Sequence, residues 1–295
     1  MHYLGSSAST GLFVGQRLDL DGSQATLYDV LRSDRTTSGF LYKAIADQQL
    51  LPRVRRLVDY SAVRPGLRNR VAGVPLAAVE VPGHSCGVLI RRVSGMQLTT
   101  MGPLRTRNDL RLQLQLALDL ATEVALMHDN GLVHGDISGA NILYDLDAID
   151  QPRASLVDMD MASVWDGSRW ASGLEPLHLP PDGPYLAPEV KAGTVTHSSL
   201  WTDRWGLAVA LHFILCLSSP LSVVGVSASE YATGQHAWPP PTPVILAHAG
   251  RLAILSPTLQ HYFIRVFDRQ EGIWPESRPG ATAWAAAIAE ELGLT

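Results

Sequence analysis

The chain is poor in the residues that would cross-link it or hold a metal through sulfur. Its 295 residues include two cysteines, Cys86 and Cys216, far apart and without a CxxC or Cys/His companion. That argues against a disulfide framework or a zinc site and points to a reducing, cytoplasmic setting. Positive charge is also short. Against 28 acidic residues stand 23 basic ones, a net charge of −5, so nothing draws the chain broadly to phosphate backbones or anionic lipid. Neither nucleic acid nor a membrane is the expected partner. The first fifteen residues, MHYLGSSASTGLFVG, lack a basic n-region and a long apolar stretch, so no secretory leader is expected. Long apolar runs are scarce too: the best, 205–226, is interrupted by His212 and stopped by Pro220, which suits a buried helix better than a membrane span.

What is present is the material of an ordinary globular core, 46% hydrophobic and 17% charged, with length for one large domain or two lobes sharing a cleft. No internal repeat is found. From 18 to 95 the pattern is strand-like, with ATLYDV, GFLYKAI, LAAVEV and CGVLIRRV separated by glycine and proline. A helical interval at 48–60 sits among them, with Leu50, Val54, Leu57 and Val58 on one face. After Met101 the character changes. LRLQLQLALDL alternates as a strand would, but its residues are good helix formers, it runs on through TEVALMH, and Asn130-Gly131 supplies a stop; a helix is expected. NILYDL and ASLVDM then read as a hairpin around Gln151-Pro152, and helices are expected near 203–217 and at the C-terminal WAAAIAEELGL. The plan is α+β, with a β-rich lobe over residues 1–94 and a helical lobe over residues 95–295.

The strongest local signal is His134-Gly135-Asp136-Ile137-Ser138-Gly139-Ala140-Asn141. An aspartate followed by asparagine five residues later could serve only to cap a loop. Leu156-Val157-Asp158 beyond the next hairpin changes that reading, because phosphoryl transfer needs a carboxylate facing the attacking hydroxyl and oxygen donors for a cation that neutralises the phosphates. Tyr42-Lys43-Ala44-Ile45 adds a strand lysine with apolar Leu41 and Ile45 on its own pleat face, a directed lysine more than a solvated one.

In this order the segments resemble the protein kinase superfamily, in particular bacterial kinase-like proteins with HGD, DxD and TDRxxLA motifs. Further elements are Gly87 to Gly95 (GVLIRRVSG) as a hinge, Ala187-Pro188-Glu189, Thr202-Asp203-Arg204-Trp205 and Ser277-Arg278-Pro279; together they span about 18–285. The resemblance implies a bilobal fold that binds ATP and Mg2+, with protein as substrate and serine or threonine as acceptor. It makes Asp136 the group orienting the acceptor hydroxyl, Lys43 the holder of the α and β phosphates, and Asn141 and Asp158 the magnesium ligands. Leu20, Gly22, Ser23 and Leu27 would cover the nucleotide. At the hinge, Ile90 would sit beside the base, with Arg91 C=O and Val93 N–H meeting it. Asp203 would brace the catalytic loop, and Arg278 would pair with Glu189. His134 is expected to be structural.

Four departures qualify this expectation. The glycine-rich loop keeps only Gly22, and no glutamate lies between Lys43 and Glu80, leaving Asp59 or Gln49 as partners for the lysine from the helix. Gly135 replaces an arginine, so no cation there awaits a phosphate on the following segment. Ser138 stands where a lysine is usual. A nucleotide-binding protein that transfers phosphate poorly and acts as a scaffold is therefore a second reading, and a small-molecule kinase a third. SEYATGQHAWPPPTP reads as a surface loop or a proline-rich ligand.

Overall fold

The computed structural model describes residues 2–3, 12–18, 26–81, 86–148, 152–177, 183–220, 251–267 and 275–294. The chain forms two compact units. The first holds Met1–Val93 together with two short returning segments, Val157–Asp160 and Ala171–Leu174; the second holds Ser94–Leu156, Met161–Trp170 and Glu175–Thr295. A cut at 94/95 therefore misses the two returning segments. The reason is chemical for the first of them, which carries carboxylates to Lys43.

The first unit is an antiparallel sheet with one main helix. Its strands are β1 (His2–Tyr3), β2 (Leu12–Leu18), β3 (Thr26–Arg32), β4 (Thr37–Ala44), β5 (Ala77–Val79) and β6 (Gly87–Arg91), in the order β1-β2-β3-β4-β6-β5. Alternation along β4 sorts its side chains. Tyr42 joins Val14, Val30 and Val81 on one face, while Ile45 and Val88 pack against Val54 of helix α1 (Leu51–Ala62) on the other. Helix α1 follows a 3-10 turn at Gln48–Leu50 and carries a proline in its first turn, where a missing N–H costs nothing. A short α2 (Pro65–Arg70) comes next. The sequence pattern did not announce β2. Its pairing with β3 slips between Val14 and Arg17, and that irregularity breaks the two-residue alternation by which strands are read.

The second unit is mainly helical. Its strands are β7 (Met96–Gln97), β8 (Leu132–Val133), β9 (Ile142–Asp145), β10 (Arg153–Leu156) and β11 (Ser163–Val164). The hairpin of β9 and β10 runs in register from Ile142↔Leu156 to Asp145↔Arg153, and β7 pairs with β9. Among the described residues, helices α3 (Gly102–Arg107), α4 (Leu110–Asp129), α5 (Pro188–Lys191), α6 (Leu200–Cys216), α7 (Pro257–Phe267) and α8 (Ala281–Glu291) complete it. The alternating segment is helical, as its residue types demand. Asp109 caps α4 by accepting from the Arg111 and Leu112 amides, and Leu116, Leu120, Val124 and Met127 face the core. Helix α6 opens on a reciprocal Ser199–Thr202 capping box and buries Trp205. Trp205 meets Phe267 at 5.3 Å, and Trp284 of α8 meets Phe263 at 4.8 Å, so aromatic side chains fill this core. Among the described residues no helix is long and apolar enough to cross a membrane.

Candidate active site

In the first unit the site is built around Lys43. Strand β4 is flanked by β3 and β6, with Leu27 and Val88 as cross-strand neighbours of the lysine. Its ammonium meets the Asp158 carboxylate at 2.6 Å and the Asp160 carboxylate at 2.9 Å. Burial alone would depress the lysine pKa. The Asp160 and Asp158 charges outweigh it and hold the ammonium above the ordinary lysine value. The Lys43 side chain is 8% exposed, whereas that of Asp158 is 42% exposed, so a desolvated cation looks out through an accessible anion. Asp158 has a φ of +67°, a left-handed backbone that aspartate tolerates better than most residues.

In the second unit the segment His134 to Asn141 is held by its backbone. Asp203 of α6 accepts the His134 amide at 2.7 Å with one oxygen and the Gly135 amide at 3.0 Å with the other, and His128 Nε2 lies 3.2 Å away. The His134 ring faces inward, its Nδ1 accepting the Asp136 amide at 3.1 Å. Asn141 Nδ2 donates to the Asp136 carbonyl and to the Asp136 carboxylate at 2.9 Å, which fixes the acid's direction. Helix α6 reaches this loop closely because position 206 is glycine; a Cβ there would stand 2.9 Å from the Ile137 carbonyl oxygen. Gly135 has a φ of +83°, and a Cβ on it would stand 3.1 Å from both the Met161 carbonyl and the Ser198 hydroxyl. The loop conformation itself therefore disfavours the arginine that the resemblance would place there.

Farther along, Arg278 forms a two-pronged pair with Glu189, each oxygen 2.7 Å from a guanidinium nitrogen, and also donates to the Trp201 carbonyl. The pair is out of solvent, 1% exposed at the arginine and 10% at the glutamate. The expected contacts of Asp203 and Arg278 are thus both formed.

The structure brings Lys43 together with Asp158, and Asp136 together with Asn141. Asn141 belongs to the second unit and Asp158 to the first. Leu20, Gly22 and Ser23 lie outside the described residues, as does the SEYATGQHAWPPPTP segment. Ile90 packs with the cluster on the lysine's face of the sheet. Hydrogen bonds from Ile45 to Cys86 and from Arg92 to Gly39 alternate along β4 and β6, so the Arg91 backbone groups are directed away from β4. On that side β5 pairs with β6 only as far as Leu89, short of Val93. The Arg91 side chain is structural, donating to the Arg68 and Val71 carbonyls.

Neither Asp59 nor Gln49 serves Lys43. Both are exposed, and the partners come instead from the Val157–Asp160 segment. Sequence reasoning gave no role to Asp160, though its place in Asp158-Met159-Asp160 was visible. It also missed Glu123, a buried acid of α4 that accepts the Leu156 amide at 2.8 Å and fixes the end of β10. No pattern marks such a residue; a carboxylate inside an apolar helix face was the only signal.

For a magnesium ion each unit by itself offers a suitable kind of donor. Asp158 offers a half-exposed carboxylate, and Asn141, with its amide nitrogen committed to Asp136, offers Oδ1; hard oxygens of this kind suit the ion. Among the described residues no group of three or more His, Cys, Asp or Glu side chains could hold a metal by itself. Comparison with known protein families and with curated proteins returns no match for this chain.

Proposed function

We propose that this chain is an ATP- and magnesium-dependent phosphotransferase of protein-kinase type, acting on serine or threonine hydroxyls of a protein. The observation that carries the reading is the ion pair between Lys43 and Asp158, 115 residues apart in sequence and 2.6 Å apart in the fold. A buried ammonium whose anion is accessible can exchange that anion for phosphate oxygens. Lys43 would hold the α and β phosphates, and the hinge backbone at Arg91 and Val93 would meet the base. Asp136, aimed by Asn141, would take the acceptor proton; its carboxylate is already oriented, so little rearrangement is needed at the moment of reaction. Asn141 and Asp158 would hold the magnesium, which supplies neutralising charge to the β and γ oxygens.

The test is incubation of the purified protein with labelled ATP, magnesium and a generic protein acceptor. Asp136→Asn should keep ATP affinity within a few-fold and lower the transfer rate roughly 10²–10⁴-fold. Asp158→Ala should abolish transfer, and undiminished turnover in that variant would remove the assignment. A second reading is favoured by one observation: the only acid of α1, Asp59, is exposed, so the helix supplies no carboxylate to the lysine. A protein that binds ATP tightly yet labels no protein or small-molecule acceptor would fit that reading, a nucleotide-binding scaffold.

A further inference from the structure

Lys43 is surrounded asymmetrically. Of the two carboxylates that meet it, Asp158 is the one whose oxygens a cation would need, and it is the more exposed, at 42% against 27% for Asp160. An ammonium that is 8% exposed cannot be left without an anion, because stripping its partner strands a charge in low dielectric. In the first unit, the helix packed on the same sheet face offers only the exposed Asp59. Among the described residues of the first unit, the remaining anion within reach is Asp160, 2.9 Å from the ammonium nitrogen.

Resting on the nucleotide-binding reading above, we infer that Asp160 is the positioning residue of this site: it holds the Lys43 ammonium toward the phosphates while Asp158 turns to the cation. The chain thereby obtains from the segment after β10 the carboxylate that a helix could have supplied. The arrangement is economical in sequence, since two acids at i and i+2 serve one lysine. Both carboxylates converge on one ammonium, whereas residues two apart in a helix would point to opposite faces.

Composition provides a clean test, because Lys43 and Lys191 are the only lysines in the chain. Acetic anhydride at fixed pH, followed by mass spectrometry of the two lysine peptides, reads the sequestration of Lys43 with Lys191 as internal standard. Asp160→Asn should raise acetylation at Lys43 roughly tenfold, the worth of about one charge-assisted hydrogen bond, and leave Lys191 unchanged. Asp160→Glu should restore most of the protection. In steady-state transfer, Asp160→Asn should raise the KM for ATP several-fold more than it lowers kcat, a split that a merely structural role would not produce. An unchanged Lys43 rate in Asp160→Asn overturns the inference. So does an increase equal at both lysines in which Asp160→Glu is no better protected, since that reports opening of the fold and not loss of a partner. The parent reading is judged separately: if ATP with magnesium does not protect Lys43 of the wild-type chain, nucleotide binding fails even where the Asp160 ion pair stands.

Discussion

Two ion pairs, one in each unit, show how differently the same chain uses a buried cation. Arg278 is 1% exposed, engages Glu189 with two parallel hydrogen bonds, donates to the Trp201 carbonyl and lies 5.2 Å from the Trp205 ring. Lys43 is nearly as buried, but its partners are 42% and 27% exposed, and its contacts are those of a point charge. A planar guanidinium fork, once matched to a carboxylate and packed on an indole, has one arrangement and keeps it. An ammonium can trade one oxygen for another. On the proposed function the first pair stays and the second exchanges, in a chain that otherwise uses arginine for 21 of its 23 basic residues.

The largest structural effect should therefore come from breaking the pair in the second unit. Glu189→Ala or Arg278→Ala strands a charge in the core and should cost about 3–5 kcal/mol in denaturant unfolding, with the double variant costing clearly less than the sum. Lys43→Met is the contrasting experiment. Its partners remain in contact with water, so stability should change by less than about 1 kcal/mol while, on the proposed function, transfer is lost. Equal destabilisation by both substitutions would end the distinction drawn between them.

Next in size is Gly135→Ala, which puts a Cβ at a φ of +83° and against the Met161 carbonyl and Ser198. A loss of about 1–2 kcal/mol is expected, read from the unfolding midpoint. The smallest effect is on pH dependence. Burial, followed by the nearby Cys86 and Tyr28, pushes the Tyr42 hydroxyl from 10.0 up to about 12. The folded state then binds its proton more tightly than the unfolded one, so this contribution is intact below pH 10.0 and drains away as pH rises toward about 12. Tyr42→Phe should flatten the alkaline decline in stability over that window, measured by urea unfolding at successive pH values.

The division into a β-rich beginning and a helical remainder was legible because period and end signals are local. LRLQLQLALDL needed helix propensity to overrule its alternation, and the capping residue Asp109 agrees with that choice. β2 was not legible, since a slip in pairing is a property of two strands and cannot be read from one. Lys43, Asp136, Asn141 and Asp158 were expected from their order and spacing together with the kinase resemblance, as were the contacts of Asp203 and Arg278, which are formed. Glu123 was not, because its role depends on which amide ends up beside it.

The sequence by itself determined the β-rich beginning, the helical remainder and the buried character of α6, and it offered the residues proposed to carry chemistry. Periodicity, caps and residue type act over a few neighbours, and those are present in the string. Tertiary structure alone decided that Asp160, and neither Asp59 nor Gln49, completes the charge on Lys43, and that position 135 favours glycine. The first depends on the distance at which the fold holds Asp160 from Lys43, and the second on a left-handed backbone at Gly135 pressed against Met161 and Ser198. A desolvated ammonium takes whichever carboxylate the fold brings within reach, and only the folded backbone fixes that distance.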